Sequence, residues 1–286
     1  MSIELKNVKY KYNSSDDKYA LDDVNLKINK NEFIGVIGHT GSGKSTMVQL
    51  FNGLIYPTEG TVNVDGEDVS ESNKSNLKQV RQKVGLVFQY PEYQLFEETI
   101  ALDIAFGPKN LNLPEEEVKK RVKESMKLVG LDYEKYKDES PFDLSGGQKR
   151  RVAIASILAM QPRYLILDEP TAGLDPQGRD EILGELRKIY ESDDELTVVV
   201  VSHSMEDIAK IADRVIVMSD GKVFDDNIPE IIYSNGEKLE NIGLDIPQIT
   251  KVTSLLKDKG YNFDKTIINV KDAYEILLKQ LGGKDE

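Results

Sequence analysis

The sequence predicts an α/β protein with a mostly parallel central sheet. Short runs rich in β-branched residues alternate with longer helical patterns, as in strands joined by crossover helices. Two of the runs, RYLILDEP (Arg163 to Pro170) and LTVVVVSH (Leu196 to His203), are continuously apolar, as central strands covered on both faces must be.

In chain order, EFIGVIG (Glu32 to Gly38) reads as a buried strand and the run after Gly43 as a helix. PEEEVKKRVKESMKLVG opens on Pro114 with acids in its first turn, and Gly130 closes it. Val118, Val122, Met126 and Val129 form one apolar stripe, so this is an amphipathic helix whose stripe is packing. It belongs to a helical subdomain inserted between the strands, at about residues 90–160. DRVIVMSDGKVFDD (Asp213 to Asp226) reads as two strands around an Asp-Gly turn. After Pro229 the pattern becomes irregular, with weaker helix signals near Pro247 to Lys259 and Lys271 to Leu281. The expected division is a main domain over residues 1–228 and a small C-terminal extension over 229–286.

A chain of 286 residues, 39% hydrophobic, can bury a large core in one main domain with an appendage. Lys and Arg total 37 against 50 Asp and Glu, a net charge of −13. Such a chain repels a nucleic-acid backbone unless its basic residues cluster, and Lys149 to Arg151 is a short cluster, so no nucleic-acid partner is expected. The absence of cysteine excludes disulfides and thiolate zinc sites, and fits the cytosol. The N-terminus has no signal-like apolar core. The longest apolar run, Val152 to Met160, falls well short of the ~20 residues that span a bilayer.

GHTGSGKST, Gly38 to Thr46, fits G-x-x-x-x-G-K-[ST] between a strand and a helix. Gly38, Gly41 and Gly43 let the backbone curl and aim N–H groups at phosphate oxygens, and the helix adds its positive end. His39, Thr40 and Ser42 occupy the variable positions, His39 facing solvent. Lys44 would neutralise β/γ-phosphate charge, Ser45 would ligate Mg²⁺ and Thr46 completes the ATP cradle. YLILDEP, Tyr164 to Pro170, ends in two carboxylates that strand alternation sends to different jobs. Asp168 would hold Mg²⁺ and Glu169 would act as general base towards water.

LSGGQKRRVAIA, Leu144 to Ala155, resembles the signature motif of ATP-binding-cassette (ABC) ATPases. Ser145 offers a hydroxyl at a helix N-terminus, and Gly146 and Gly147 leave N–H groups open to an anion. In that family the motif, here Ser145, Gly146, Gly147 and Gln148, closes in trans over ATP bound to a partner subunit. The other family motifs follow in register. Tyr12, with Tyr10 as a nearby rival, matches the aromatic residue that stacks on adenine. Gln89 matches the glutamine that senses Mg²⁺ and the attacking water. Asp175, in AGLDP, matches the residue that links two subunits, and His203, in VVSHSMED, the histidine that contacts the γ-phosphate. The resemblance spans about Ile3 to Asp226 and implies a P-loop NTPase with an N-terminal antiparallel β subdomain, the inserted helical subdomain, and ATP and Mg²⁺ as cofactors.

QYPEYQLFEETIALDIAFGPKNLNLP, starting at Gln89, is similar to the ATPases of energy-coupling factor (ECF) importers. There the segment receives a coupling helix from a transmembrane T subunit. The resemblance makes Tyr90, Glu92, Tyr93, Leu95 and Phe96 a socket, with Glu92, Glu97 and Glu98 available to basic residues on the docked helix. GHTGSGKST, NGLIYPTEG and LSGGQKRRVAIASILAMQP look most like the second, A2-type ATPase paralogue. The implied partners are a second ABC ATPase, a paralogue in preference to a second copy, a T subunit and, indirectly, a substrate-binding membrane subunit. The implied place is the cytoplasmic face of the cell membrane, with the extension helping to hold the two ATPases together. A conventional ABC importer shares every catalytic motif and differs in the socket. A soluble ABC ATPase acting on nucleic acid or ribosomes would carry insertions that this length does not accommodate.

Overall fold

The computed structural model describes residues 1–282. Strands β1 (Ser2–Tyr10) and β2 (Leu21–Asn29) pair antiparallel, and β2 alternates buried with exposed residues, as a sheet with one wet face requires. Strand β3 (Phe33–Ile37) is buried at all five positions. A glycine loop joins it to helix α1 (Lys44–Phe51), after which β4 (Glu59–Val64) and β5 (Glu67–Asp68) complete an antiparallel sheet in the order β2-β1-β4-β5. Helix α2 (Leu77–Lys83) leads into β6 (Val84–Val87).

The chain then leaves the strands for α3 (Ile100–Asn110), α4 (Glu115–Leu128), α5 (Tyr133–Tyr136) and α6 (Gly146–Leu158). It returns through β7 (Tyr164–Asp168), α7 (Pro176–Glu191), β8 (Thr197–Val201), α8 (Met205–Ile211), β9 (Arg214–Ser219) and β10 (Lys222–Asn227). Helices α9 (Pro229–Ser234), α10 (Gly236–Glu240), α11 (Gln248–Asp258) and α12 (Val270–Gly282) follow.

The central sheet runs β10-β9-β3-β8-β7-β6, parallel throughout except for the antiparallel β10–β9 edge. This is the mostly parallel α/β sheet, with an antiparallel N-terminal sheet, that the sequence and its resemblance imply. The period of two explains why its strands are apolar throughout. Val198 and Val200 of β8 pack with Leu165 and Leu167 towards the helical side, whereas Val199 and Val201 pack with Met47 and Phe51 of α1. Val118, Val122, Met126 and Val129 are all buried in the helical core.

The segment after Pro229, irregular in sequence, contains α9 and α10. Their Ile232, Tyr233 and Leu239 join the main core, and the Tyr233 hydroxyl donates to the Met205 carbonyl at 3.3 Å. Phe263, Ile267 and Ala273 form a separate small cluster around α11 and α12. Among the described residues no helix is long and apolar enough to cross a membrane. The last four residues of the expected extension lie outside those described.

Candidate functional site

The parallel strands end at one edge, and the loops leaving β3, β7 and β8 bring the site together there. After β3 the backbone turns through Gly43 at φ 101°, where a Cβ would lie 2.7 Å from the Ala20 carbonyl oxygen, so glycine is required. Lys44 is buried, and its Nζ donates to the carbonyls of Gly38 at 2.7 Å and His39 at 3.1 Å. Burial lowers the Lys44 pKa, while Glu169 and Asp168 oppose the shift. The His39 ring is half-buried, its Nδ1 2.9 Å from the Thr40 carbonyl. Thr40, Gly41 and Ser45 are exposed, and Ser42 and Thr46 are buried.

Asp168 ends β7, and burial raises its carboxyl, with Ser45 and Lys44 opposing. Glu169 takes a left-handed φ of 52°, and its N–H donates to the Val201 carbonyl at 2.9 Å. That turn takes it out of the strand alternation and points it at His203, whose Nδ1 stands 2.8 Å from Glu169 Oε2. Burial raises Glu169 too, against the pull of His203 and Lys44. Among the described residues, the buried oxygens Ser42 Oγ and Asp168 Oδ1 make no hydrogen bond. A buried polar atom without a partner is costly, and this pair, at the phosphate loop and at the end of β7, fits a phosphate–divalent cation ligand. Tyr12 is 57% exposed, its hydroxyl is 2.8 Å from Thr46 Oγ1, and Tyr10 packs against it edge-on at 5.0 Å. Gln89 follows β6 and is exposed.

The residues assigned to a partner's ATP stand apart from this cluster. Ser145 caps α6, accepting from the Gln148 N–H at 3.3 Å, while Gln148 Oε1 accepts from the Ser145 N–H at 3.1 Å. A Cβ at Gly146 or Gly147 would meet open space. Asp175 caps α7 through the Gly178 N–H at 2.7 Å and is exposed.

The socket residues divide. Tyr90, Tyr93 (84% exposed) and Phe96 (57% exposed) face outward, and Phe96 meets Phe106 edge-on at 4.9 Å. Beside them lies a groove of about 450 Å³ lined by Leu54, Arg81, Gln94, Phe96, Phe106 and Met160. Leu95 is corrected as an outward contact: it is 7% exposed and belongs to the helical core, because the 3₁₀ turn Pro91–Gln94 turns it inward, although it also lines the groove. Glu92 is corrected as well. Its carboxylate is held by buried Arg150, Nη2 to Oε1 at 3.1 Å, and is not free for a partner's cation.

Arg150 was missed in the sequence because it sits in the short basic run. Its signal is the spacing Arg150, Ile154, Leu158 on the buried face of α6.

A family model described as "ABC transporter" matches residues 21–172. The chain is 54% identical to the "Energy-coupling factor transporter ATP-binding protein EcfA2" of Clostridium tetani, over 99% of both chains. It is 51% identical to the protein of the same description from Clostridioides difficile, again over 99% of both. Among solved structures it is similar to cbiO1 from Clostridium perfringens, described as part of the ABC transporter complex cbiONQ. The TM-score there is 0.74 at 35% identity, covering 89% of this chain and 98% of that one. The bacterial ABC transporter cassette MJ0796, in a dimeric structure, gives 0.69 at 36% identity, covering 79% and 98%. By its sequence, its sheets and these relatives, the chain belongs to the ABC transporter family, as an ATP-hydrolysing subunit of energy-coupling factor importers of the A2 type.

Proposed function

We propose that this subunit pairs with a second cassette, a paralogue, and that the pair closes around two ATP molecules at the cytoplasmic face of the membrane. The observation that carries the reading is the meeting of Lys44, Asp168, Glu169 and His203 at the strand ends. Gly38, His39, Thr40, Gly41, Ser42, Gly43 and Thr46 wrap the phosphates, Lys44 neutralises them, and Tyr12 stacks on adenine. Ser45, Gln89 and Asp168 would hold Mg²⁺, which would supply neutralisation of the phosphate charge. Glu169 accepts a proton from the water that attacks the γ-phosphorus as the bond to the ADP oxygen breaks. His203 would contact the γ-phosphate and stands within hydrogen-bond reach of that carboxylate, while Ser145, Gly146, Gly147, Gln148 and Asp175 serve the partner's ATP.

Closure moves the groove beside Tyr90, Tyr93 and Phe96, where a coupling helix of a T-type membrane subunit docks by apolar contact. The work done is uptake of a micronutrient, a vitamin or metal ion, through a separate substrate-binding membrane subunit. The test is recovery of the tagged chain from detergent-solubilised native membranes, with companions identified by mass spectrometry. A second cassette and a T-type protein are expected. A conventional permease pair, or soluble partners alone, would overturn the docking assignment and leave the ATP chemistry standing.

A further inference from the structure

Arg150 is among the largest side chains the fold buries. A guanidinium out of water is tolerated only when its nitrogens find acceptors, and each nitrogen of Arg150 does. Nε and Nη2 reach the Glu92 carboxylate, at 3.3 Å to Oε2 and 3.1 Å to Oε1. Nη1 donates to the Pro170 carbonyl at 2.9 Å and Nη2 to the Ala172 carbonyl at 3.0 Å.

The partners come from separate parts of the chain. Glu92 lies in the 3₁₀ turn between exposed Tyr90 and Tyr93, Arg150 is on the signature helix α6, and Pro170 directly follows Glu169. The turn from Glu169 to Leu174 leads to Asp175. Further side chains hold this turn: the Thr171 hydroxyl donates to the Asp207 carboxylate of α8 at 2.8 Å, and Arg179 Nε donates to the Leu174 carbonyl at 3.1 Å. Tyr90 also approaches this turn, its ring carbon 3.6 Å from where a Cβ on Gly173 would lie. A left-handed glutamate does not hold its own backbone in place, so the contacts around it must.

We propose that Arg150 is a positioning residue for hydrolysis, which fixes the turn carrying Glu169 and Asp175 at a place set by Glu92 of the docking segment. Movement of the 3₁₀ turn by a docked helix is thereby passed to the residue that faces the water. Arg150 suits this task because its fork holds a carboxylate and two carbonyls two residues apart, which a lysine ammonium cannot do at once. The proposal rests on the reading of Glu169 as general base.

The test uses the assembled complex and steady-state hydrolysis of MgATP by Arg150→Lys, Arg150→Met, Glu92→Gln and Glu169→Gln, with thermal melting and subunit yield measured beside it. Arg150→Lys is expected to lower kcat by about 10- to 100-fold, the range seen for small misplacement of reacting groups, with KM within about 2-fold. Glu92→Gln, a milder change that reports on the same link should Arg150→Met misfold, is expected to shift kcat in the same sense with KM held. A kcat for Arg150→Lys within about 2-fold of the parent, beside an inactive Glu169→Gln, overturns the proposal alone. So does a fall that only tracks lost folded complex, which is what a purely structural staple would give. Normal turnover of Glu169→Gln removes the general-base reading, and the proposal with it.

Discussion

His203 Nδ1 lies 2.8 Å from Glu169 Oε2, with the imidazole 70% exposed and the carboxylate largely covered. An exposed ring thus contacts a shielded carboxylate, the proposed general base. Glu169→Gln should lower turnover by ~10²-fold or more, with ATP still bound, as loss of a general base implies. Phosphate release and nucleotide binding, measured on the same preparation, check both halves.

Tyr93 and Phe96, which the proposed docking would use, face outward, whereas Leu95 is core. Changing Tyr93 and Phe96 together to Ala should weaken assembly with the T subunit and leave ATP binding intact. Leu95→Ala should instead lower stability by about 2–4 kcal/mol through the cavity it leaves. Co-purification yield and chemical denaturation separate the two. Full-yield assembly of the double variant would remove these side chains from the socket.

Gly35 in β3 lies under α8, and a Cβ there would fall 2.3 Å from Ile208 Cγ2 and 3.2 Å from the Ala212 Cβ. Gly35→Ala should therefore destabilise the fold by about 1–3 kcal/mol, since α8 must lift or Ile208 must leave its rotamer. Equilibrium denaturation measures this directly.

Glu185 of α7 contacts Arg151 of α6, yet burial pushes its carboxyl up to about 7 from an ordinary 4.5, against the opposing charge of Arg151. A carboxyl raised on folding binds more protons in the native state. Its stabilising contribution is complete below about 4.5 and is lost as pH rises through about 7. Glu185→Gln stays neutral, so its stability relative to the parent should improve by on the order of 1–3 kcal/mol between pH 5 and pH 8.5. Arg151 keeps Glu181 and the Val129 carbonyl as partners in the variant. Denaturation curves at the two pH values check the sign. A constant gap would mean that Arg151 holds Glu185 ionised throughout.

The strands and the helix at Glu115–Leu128 were legible because period and punctuation are local signals. The phosphate loop, the carboxylate pair and the signature were legible because each is a short run whose chemistry demands its order. What escaped was non-local. Nothing near Leu95 announces that a 3₁₀ turn will bury it, and nothing near Glu92 names a cation 58 residues away. Tyr233 and Leu239 looked irregular because α9 and α10 are too short to show a period, although both residues complete the main core.

The left-handed φ of 52° at Glu169 has a consequence for selection. Holding a non-glycine residue there costs about 1–3 kcal/mol, and glycine would relieve most of it. Burying a carboxylate beside Asp168 adds to the cost. A library of variants sorted for heat resistance alone would therefore drift towards Glu169→Gly or Glu169→Asn and return well-folded, inert cassettes. Only a screen that demands turnover keeps glutamate where the backbone least favours it.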